Sequence, residues 1–252
     1  REEGIWPGAG TEDLIAIVNP SDKVALIIGA KRLGAAVALE LARRGADICI
    51  SYNRSQDHAR RAVVTMQALG RKAIAMQADV SRAEECQRLI DSTVAEFGRL
   101  DILVNMASTY ETIPFDELTL DHWDRALAVD LTGAFLCSRA AVPHMRRVGG
   151  GRIVNCSDWV ARSGRPRYPG FLPYYVAKSA VVGLTEALAF ELAADGILVN
   201  AIAPGPIIPP SEMSAQEVEA VAKATPLGRW CGAEEIAKVV VALVESDFVT
   251  GA

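Results

Sequence analysis

The segment that begins at residue 174 contains the residue types best suited to move a proton. Two adjacent tyrosines, Tyr174 and Tyr175, are followed by Lys178, four residues after the first of them. A tyrosine hydroxyl has a pKa of about 10 in water and is a poor acid-base group at neutral pH unless something stabilises its phenolate. A lysine one helical turn away can do so, and this spacing therefore indicates acid-base chemistry on one face of a helix.

A second cluster is suited to binding phosphate. The segment GAKRLG, residues 29–34, follows an apolar run, and its glycines let the backbone turn tightly so that an anion can approach the N-terminus of the next helix. The next strand-like run ends in NRS, residues 53–55. An acidic residue usually occupies that place when the bound dinucleotide lacks a 2′-phosphate, whereas Arg54 with Lys31 or Arg32 suits a phosphate. The alternative is that Arg54 is an ordinary residue of a solvated loop.

These residues lie at the ends of apolar runs that alternate with stretches of helical period. Strands are predicted at 24–29, 47–52, 72–77, 100–105, 151–156 and 197–202. Helices are predicted at 35–45, 55–69, 82–97, 119–147, 174–194, 212–223 and 233–245. Strands that are apolar throughout and separated by helices predict a parallel sheet covered on both faces, which is the α/β doubly wound, Rossmann-like fold in a single domain.

The remaining segments organise the chain around that domain. Residues 1–22 show neither period and are expected to form an N-terminal extension to a domain spanning 23–252. Residues 162–173 are rich in Pro, Gly and Arg and are predicted to form an enlarged loop, either a substrate lid or a solvated connection. A seventh strand is expected to begin near residue 248.

Composition excludes several classes of function. The net charge of −5 gives no basic excess for binding nucleic acid or an anionic membrane surface. The five cysteines form no C-x-x-C pair, which argues against a disulfide framework and a zinc site and favours a reducing, cytoplasmic location. No apolar run is long enough for a membrane span. We expect a protein that binds a small molecule, without a metal.

Taken together, the motifs resemble the short-chain dehydrogenase/reductase family over nearly all of residues 23–251. The family shows, in this order, a glycine-rich turn (here GAKRLG), an Asp-Val after the third strand (ADV), an N-N-A-G-like segment after the fourth (NMAS), a Y-x-x-x-K and a Pro-Gly after the sixth strand (APGP). The resemblance selects Tyr174 as the catalytic tyrosine, because Tyr175 has serine instead of lysine four residues on. Tyr175 is expected to pack in the core or the lid.

The resemblance also implies which residues contact the cofactor, expected to be NADP(H). These positions are Gly29, Lys31, Arg32, Leu33, Gly34, Asn53, Arg54, Ser55, Asp79, Val80, Asn105, Ala107, Tyr174, Lys178, Pro204 and Gly205.

Departures from the commonest family pattern point to one branch. Asp158 stands where most members carry a serine, and the segments KRLG, NRS and NMASTY are similar to those of the pteridine reductases. In that branch the aspartate works with the tyrosine in delivering a proton, and an aromatic residue stacks on the pterin. The resemblance therefore implies that Asp158 is catalytic, that Tyr110 stacks on a substrate ring and that Ser108 contacts the substrate. Plain packing for Tyr110 and a capping role for Asp158 are the alternatives.

Three further departures concern the cofactor and the proton relay. The usual threonine before the first glycine is Ile28, and the glycine turn is one residue shorter than usual. Asp130 replaces the helix asparagine that helps hold a water in the family's relay, and we count Asp130 among the catalytic residues.

The resulting prediction is an NADPH-dependent oxidoreductase that transfers hydride to a C=N or C=O carbon, with a pterin-like ring as the favoured substrate. A carbonyl or 3-oxoacyl reductase or alcohol dehydrogenase of the same family is the first alternative, and a non-catalytic NADP-binding regulator is the second. A homotetramer is expected because the long helices at 119–147 and 174–194 are rich in small apolar residues, namely Ala140, Ala141, Ala187 and Ala189.

Overall fold

The computed structural model describes residues 19–162, 169–209 and 213–252. Most of the expected N-terminal extension, the middle of the expected loop 162–173 and the first residue of the expected helix 212–223 lie outside the described residues.

Within these ranges the chain alternates strands and helices as expected. The strands are β1 Val24–Ile28, β2 Asp47–Tyr52, β3 Ala73–Gln77, β4 Ile102–Asn105, β5 Gly151–Cys156 and β6 Ile197–Ile202. The α-helices are α1 Leu33–Arg43, α2 Gln56–Ala68, α3 Ala83–Phe97, α4 Leu120–Leu127, α5 Gly133–Arg147, α6 Leu172–Leu192, α7 Ala215–Ala224 and α8 Ala233–Glu245.

The strands form one parallel sheet in the order β3-β2-β1-β4-β5-β6. Strand order reverses between β1 and β4, so the crossover helices diverge there and leave a crevice beyond the carboxyl ends of the strands, where ligands bind in such sheets. The structure thus confirms the doubly wound fold.

Alternate side chains of the strands enter two separate cores. Ala25 and Ile27 of β1 pack with apolar residues of α1 and α8 on one face, whereas Leu26 and Ile28 pack with α3 and α5 on the other. All five residues of β1 are buried, and this burial explains the continuous apolar run in the sequence. Because both faces are covered, the strand ends that carry the candidate site emerge from a packed core.

The predicted helix 119–147 is interrupted. A π-helical turn, Ala128–Thr132, separates α4 from α5 and contains Asp130. Single π turns inserted in α-helices are frequent at functional sites. By length and composition the continuous helical stretch Leu120–Arg147 could cross a membrane, but half of its most apolar window is buried inside the fold, as in a core helix.

The C-terminal residues run beside β6 where a seventh strand was expected. The Gly251 amide donates to the Val199 carbonyl at 2.7 Å, and the Ala201 amide donates to the Ala252 carbonyl at 2.7 Å. Within the described residues the C-terminal segment thus pairs with β6 without forming a seventh strand.

Candidate active site

A cleft of about 1510 Å³ lies at the carboxyl edge of the sheet and brings most of the predicted site residues together. It is lined by the predicted residues Gly29, Lys31, Arg32, Leu33, Gly34, Asn53, Arg54, Ser55, Asp79, Val80, Ala107, Ser108, Tyr110, Asp158, Tyr174, Lys178, Pro204 and Gly205. The cleft lies at the β1/β4 reversal in strand order, as the fold predicts.

The tyrosine hydroxyl of Tyr174 is held by a carboxylate. Helix α6 starts at Leu172 and has Pro173 in its first turn, where a missing N–H costs no helical hydrogen bond. Tyr174 therefore lies in the first turn of the helix. The Tyr174 hydroxyl donates to Asp158 Oδ2 at 2.7 Å, and Asp158 Oδ1 accepts from the Val160 amide at 3.0 Å. Asp158 therefore caps the short 3₁₀ turn after β5 and contacts Tyr174 as well.

Burial dominates the electrostatics of this pair. It raises the pKa of Tyr174 well above its ordinary value, and the adjacent Asp158 carboxylate raises it further. Burial also raises the pKa of Asp158, although the Val160 amide, the Tyr174 hydroxyl and Lys178 all act in the opposite direction. Tyr174 consequently retains its proton at neutral pH and can act as a donor.

Lys178 lies one helical turn below Tyr174 and is almost fully buried. Its Nζ donates to the Cys156 carbonyl at 2.8 Å and lies 3.1 Å from Asp130 Oδ1. The ammonium is 5.6 Å from the centre of the Tyr174 ring. The buried Lys178 side chain is thus held by an ion pair and by a backbone carbonyl.

The glycine turn is closed by strained backbone. Gly29 has φ of +100°, and a side chain at Gly34 would place its Cβ 1.8 Å from the Gly29 carbonyl oxygen. Arg32 also has a positive φ, 59°, which is rare for a residue with a side chain. The strain of this turn therefore lies at Arg32, directly before α1.

The turn nevertheless presents what a pyrophosphate needs. Helix α1 begins at Leu33 with no side chain capping its first turn, which leaves backbone N–H groups at the edge of the cleft. Lys31 and Arg54 add positive charge along the same edge, and residues 53–55 contain no carboxylate. The donor set fits a dinucleotide with a 2′-phosphate.

Three predicted residues are placed differently from expectation. The Arg32 guanidinium donates to the Ile208 carbonyl at 2.6 Å, across the cleft, and is engaged there instead of at the end of β2. Asn105 does not line the cleft, because its amide is buried and donates to Asn155 Oδ1 at 2.9 Å, linking β4 to β5. Asp130 also lies behind the cleft wall and acts on Lys178.

Tyr110 packs on other aromatic rings. Its ring centre is 4.9 Å from that of Phe171 and 5.0 Å from that of Tyr174, the latter edge to face. Its backbone φ is +23°, so the chain is strained where it presents this ring. The wall next to the Tyr174 hydroxyl is therefore aromatic, and Tyr175 lines the same cleft.

Sequence analysis missed three contributors to this wall. Phe171 and Trp159 line the cleft, and Thr109 holds Asp130 through its amide and hydroxyl. Phe171 could have been found from its position three residues before Tyr174, at the start of α6. Thr109 lies between Ser108 and Tyr110, which were identified from the sequence, but no feature of the surrounding sequence indicates that it contacts Asp130. Among the described residues no group of His, Cys, Asp and Glu is arranged to hold a metal ion.

Comparison with known proteins identifies the family of this chain. The profile of a family described as enoyl-(acyl carrier protein) reductase matches residues 29–252. A 3-oxoacyl-[acyl-carrier-protein] reductase from Synechocystis is 36% identical over 220 residues, which cover 86% of this chain and 87% of that protein. The chain belongs to the short-chain dehydrogenase/reductase family of oxidoreductases.

Solved structures of the family superpose closely on this fold. A short-chain dehydrogenase/reductase from Serratia marcescens is 34% identical with a TM-score of 0.87, covering 93% of this chain and 96% of that one. A short-chain dehydrogenase from Burkholderia cenocepacia, solved in complex with NADP, is 33% identical with a TM-score of 0.86, covering 92% and 95%.

Proposed function

We propose that the protein is an NADPH-dependent carbonyl reductase whose substrate is a 3-oxoacyl thioester or a related ketone. The observation that carries this proposal is the buried Tyr174 hydroxyl, which donates to Asp158 at 2.7 Å beside Lys178 in the cleft. The 3-oxoacyl substrate is supported by the name of the Synechocystis relative and by the alternative already drawn from the sequence.

The cofactor end of the cleft supports NADPH. Lys31 and Arg54 would hold the 2′-phosphate, while the free N–H groups at the start of α1 would hold the pyrophosphate. The NADP complex of the Burkholderia relative agrees with this assignment. When bound, the reduced nicotinamide supplies the hydride that reduces the carbonyl carbon.

Protein groups supply the proton. As the carbonyl carbon accepts two electrons, its oxygen takes the proton of the Tyr174 hydroxyl, which leaves a phenolate. Asp158 orients the Tyr174 hydroxyl across the 2.7 Å contact, and the phenolate is reprotonated from solvent. Lys178 limits the cost of the transient phenolate through its nearby positive charge.

A pterin-like substrate is the second candidate, favoured by two observations. Asp158 occupies the position of the usual serine and bonds directly to the tyrosine, as expected for the pteridine reductase branch. The aromatic wall of Tyr110 and Phe171 would suit a flat ring.

Turnover with NADPH separates these possibilities. The purified protein is assayed with an acetoacetyl thioester, a simple ketone and a dihydropterin, together with an Asp158→Ser variant. The carbonyl-reductase proposal predicts that the thioester or ketone is the better substrate and that serine leaves its reduction unchanged or faster. Dihydropterin as the best substrate, with Asp158→Ser depressing its reduction most, would support the second candidate. NADPH binding with no turnover of any of the three would indicate a regulator.

A further inference from the structure

Arg125 is a cation on the wall of the cleft to which the proton transfer gives no role. It lies in the last turn of α4, and Val129, four residues further along the same helical stretch, lines the cleft as well. Residues four positions apart share one face of a helix, so this face is turned to the cleft. The side chain of Arg125 is half-exposed, and its guanidinium therefore meets a molecule that enters the cleft.

Arg125 belongs to the end of the cleft that contains Tyr174. Its ion-pair partner, Glu111, directly follows Tyr110, and the ring centre of Tyr110 is 5.0 Å from that of Tyr174. Helices α4 and α6, which carry Arg125 and Tyr174, also pack against each other. The cations assigned to the 2′-phosphate follow β1 and β2 instead. The charge of Arg125 is thus placed for the substrate and not for the cofactor.

The ion pair between Arg125 and Glu111 is weak. Its nitrogen and oxygen are 3.8 Å apart, which is beyond hydrogen-bond length, and the two side chains are 52% and 51% exposed. Such pairs contribute little because water and salt screen them. Glu111 itself does not line the cleft. An anion in the cleft can therefore bind the guanidinium without displacing a strong partner.

Three other charged side chains that line the cleft have closer partners. Asp158 accepts from the catalytic hydroxyl, Lys178 donates to a carbonyl at the end of β5, and Glu217 accepts from the amide that begins α7. Within residues 19–162, 169–209 and 213–252, Arg125 is the cation at this end of the cleft that has no hydrogen-bonded carboxylate.

A guanidinium in this position suits a carboxylate or a phosphate. Its planar donors can bind two oxygens of either group at once. The carboxylate of Asp158 lies where the reacting carbonyl must bind and repels an anion close to that carbon. The anionic group that Arg125 suits is therefore one that lies several bonds from the carbonyl.

We propose, on the basis of the carbonyl-reductase function above, that Arg125 is a specificity-determining residue. It binds an anionic group, a phosphate or a carboxylate, that the ketone substrate carries at a distance from its reacting carbonyl. A thioester of phosphopantetheine carries such a phosphate, and an oxo acid whose carboxylate is several bonds from the ketone carries such a carboxylate.

The test uses matched pairs of substrates. Acetoacetyl-phosphopantetheine and acetoacetyl-pantetheine differ in the phosphate, whereas 4-oxopentanoate and its methyl ester differ in the charge of the carboxylate. For each substrate, kcat and KM are measured at saturating NADPH in the wild type, Arg125→Gln, Glu111→Gln and Arg60→Gln. Arg60 is the matched control, an exposed arginine on α2 that does not line the cleft.

The expected result is a change in the preference for the anionic member of a pair. In Arg125→Gln the ratio of kcat/KM for the anionic substrate to that for its neutral partner should fall about tenfold, through KM, because a hydrogen bond to a charged group is lost. Glu111→Gln should raise the same ratio, because it removes the competing carboxylate and keeps the guanidinium. Arg60→Gln should follow the wild type. The pair that shows the effect identifies the anion as phosphate or carboxylate.

A binding measurement does not require turnover. Phosphopantetheine and 4-oxopentanoate are titrated calorimetrically into the NADP⁺-saturated protein, in which the phosphate sites of the cofactor are filled. For the anion that the wild type binds more tightly, we expect Arg125→Gln to weaken binding about tenfold and Glu111→Gln to strengthen it. This readout stands even if no ketone is reduced, so that a failure of the proposed function can be distinguished from a failure of the inference.

Three results would overturn the inference. In the first, Arg125→Gln changes kcat/KM alike for the two members of each substrate pair. In the second, Glu111→Gln and Arg125→Gln shift the ratio in the same direction, which would mean that their ion pair only holds the loop after β4 against α4. In the third, the NADP⁺-saturated wild type binds neither anion more tightly than Arg125→Gln does.

Discussion

At the scale of single residues, the site works because its few charged groups are held in fixed pairs. Tyr174, Lys178 and Asp158 were identified from sequence and do come together, with the tyrosine hydroxyl on Asp158 and the lysine one turn below. The ion pair between Lys178 and Asp130 could not be predicted, since the two residues are far apart in the chain and meet only when the π-helical turn packs against α6.

The two arginines of the cofactor cleft, Arg32 and Arg54, also show that contacts between distant parts of the chain could not be predicted from the sequence. Charge alone placed Arg32 and Arg54 near a 2′-phosphate, but the strained backbone at Arg32 directs its side chain to the Ile208 carbonyl. No local pattern indicates that a guanidinium will find a backbone partner in a loop following β6.

Cofactor discrimination should therefore depend on Arg54. Arg54→Ala is expected to weaken NADPH binding by about 1–3 kcal/mol and to leave NADH binding nearly unchanged, because a charge-assisted hydrogen bond to the 2′-phosphate is lost. Arg32→Ala should affect both nucleotides alike. Dissociation constants are measured by nicotinamide fluorescence, with Arg60→Ala, an exposed arginine on α2, as the matched control. Equal losses of NADPH and NADH affinity in Arg54→Ala would refute the assignment.

At the scale of elements, the spacing of apolar residues was sufficient to predict the bounds of strands and helices where burial is regular. The predicted strands 47–52, 151–156 and 197–202 coincide with β2, β5 and β6, because each is an apolar run that lies mostly buried in the sheet. The break in the predicted helix 119–147 was missed. A single π turn barely disturbs the spacing of apolar residues, and the sequence pattern continues across it.

At the scale of the whole molecule, the surface suggests where copies of the chain would meet. Three of the four alanines from which assembly was predicted, Ala140, Ala141 and Ala189, are buried in the core and cannot contact a partner. The most exposed large apolar residue of α6 is Phe190, which is 87% exposed, and Phe135 of α5 is 38% exposed. Family resemblance still favours a homotetramer, with these helices in the contact.

A change at Phe190 tests this expectation. Phe190→Asp places a charge in the proposed contact and should reduce the assembly from tetramer to a smaller species, measured by light scattering at micromolar concentration. Val64→Asp, at an apolar residue of α2 that is 65% exposed, is the control and should leave the mass unchanged. A monomeric mass for the wild type would contradict the expected tetramer.

The account as a whole depends on which of two adjacent tyrosines donates the proton. Tyr174→Phe removes only the hydroxyl that Asp158 holds, whereas Tyr175→Phe makes the same change one position along α6, about 100° around the helix. The direct measurement is kcat for NADPH-linked carbonyl reduction in both variants, with NADPH affinity and thermal unfolding as controls. We predict a loss of at least about 100-fold for Tyr174→Phe and little change for Tyr175→Phe, with cofactor binding and folding nearly intact in both. A larger loss in Tyr175→Phe would contradict the catalytic assignment.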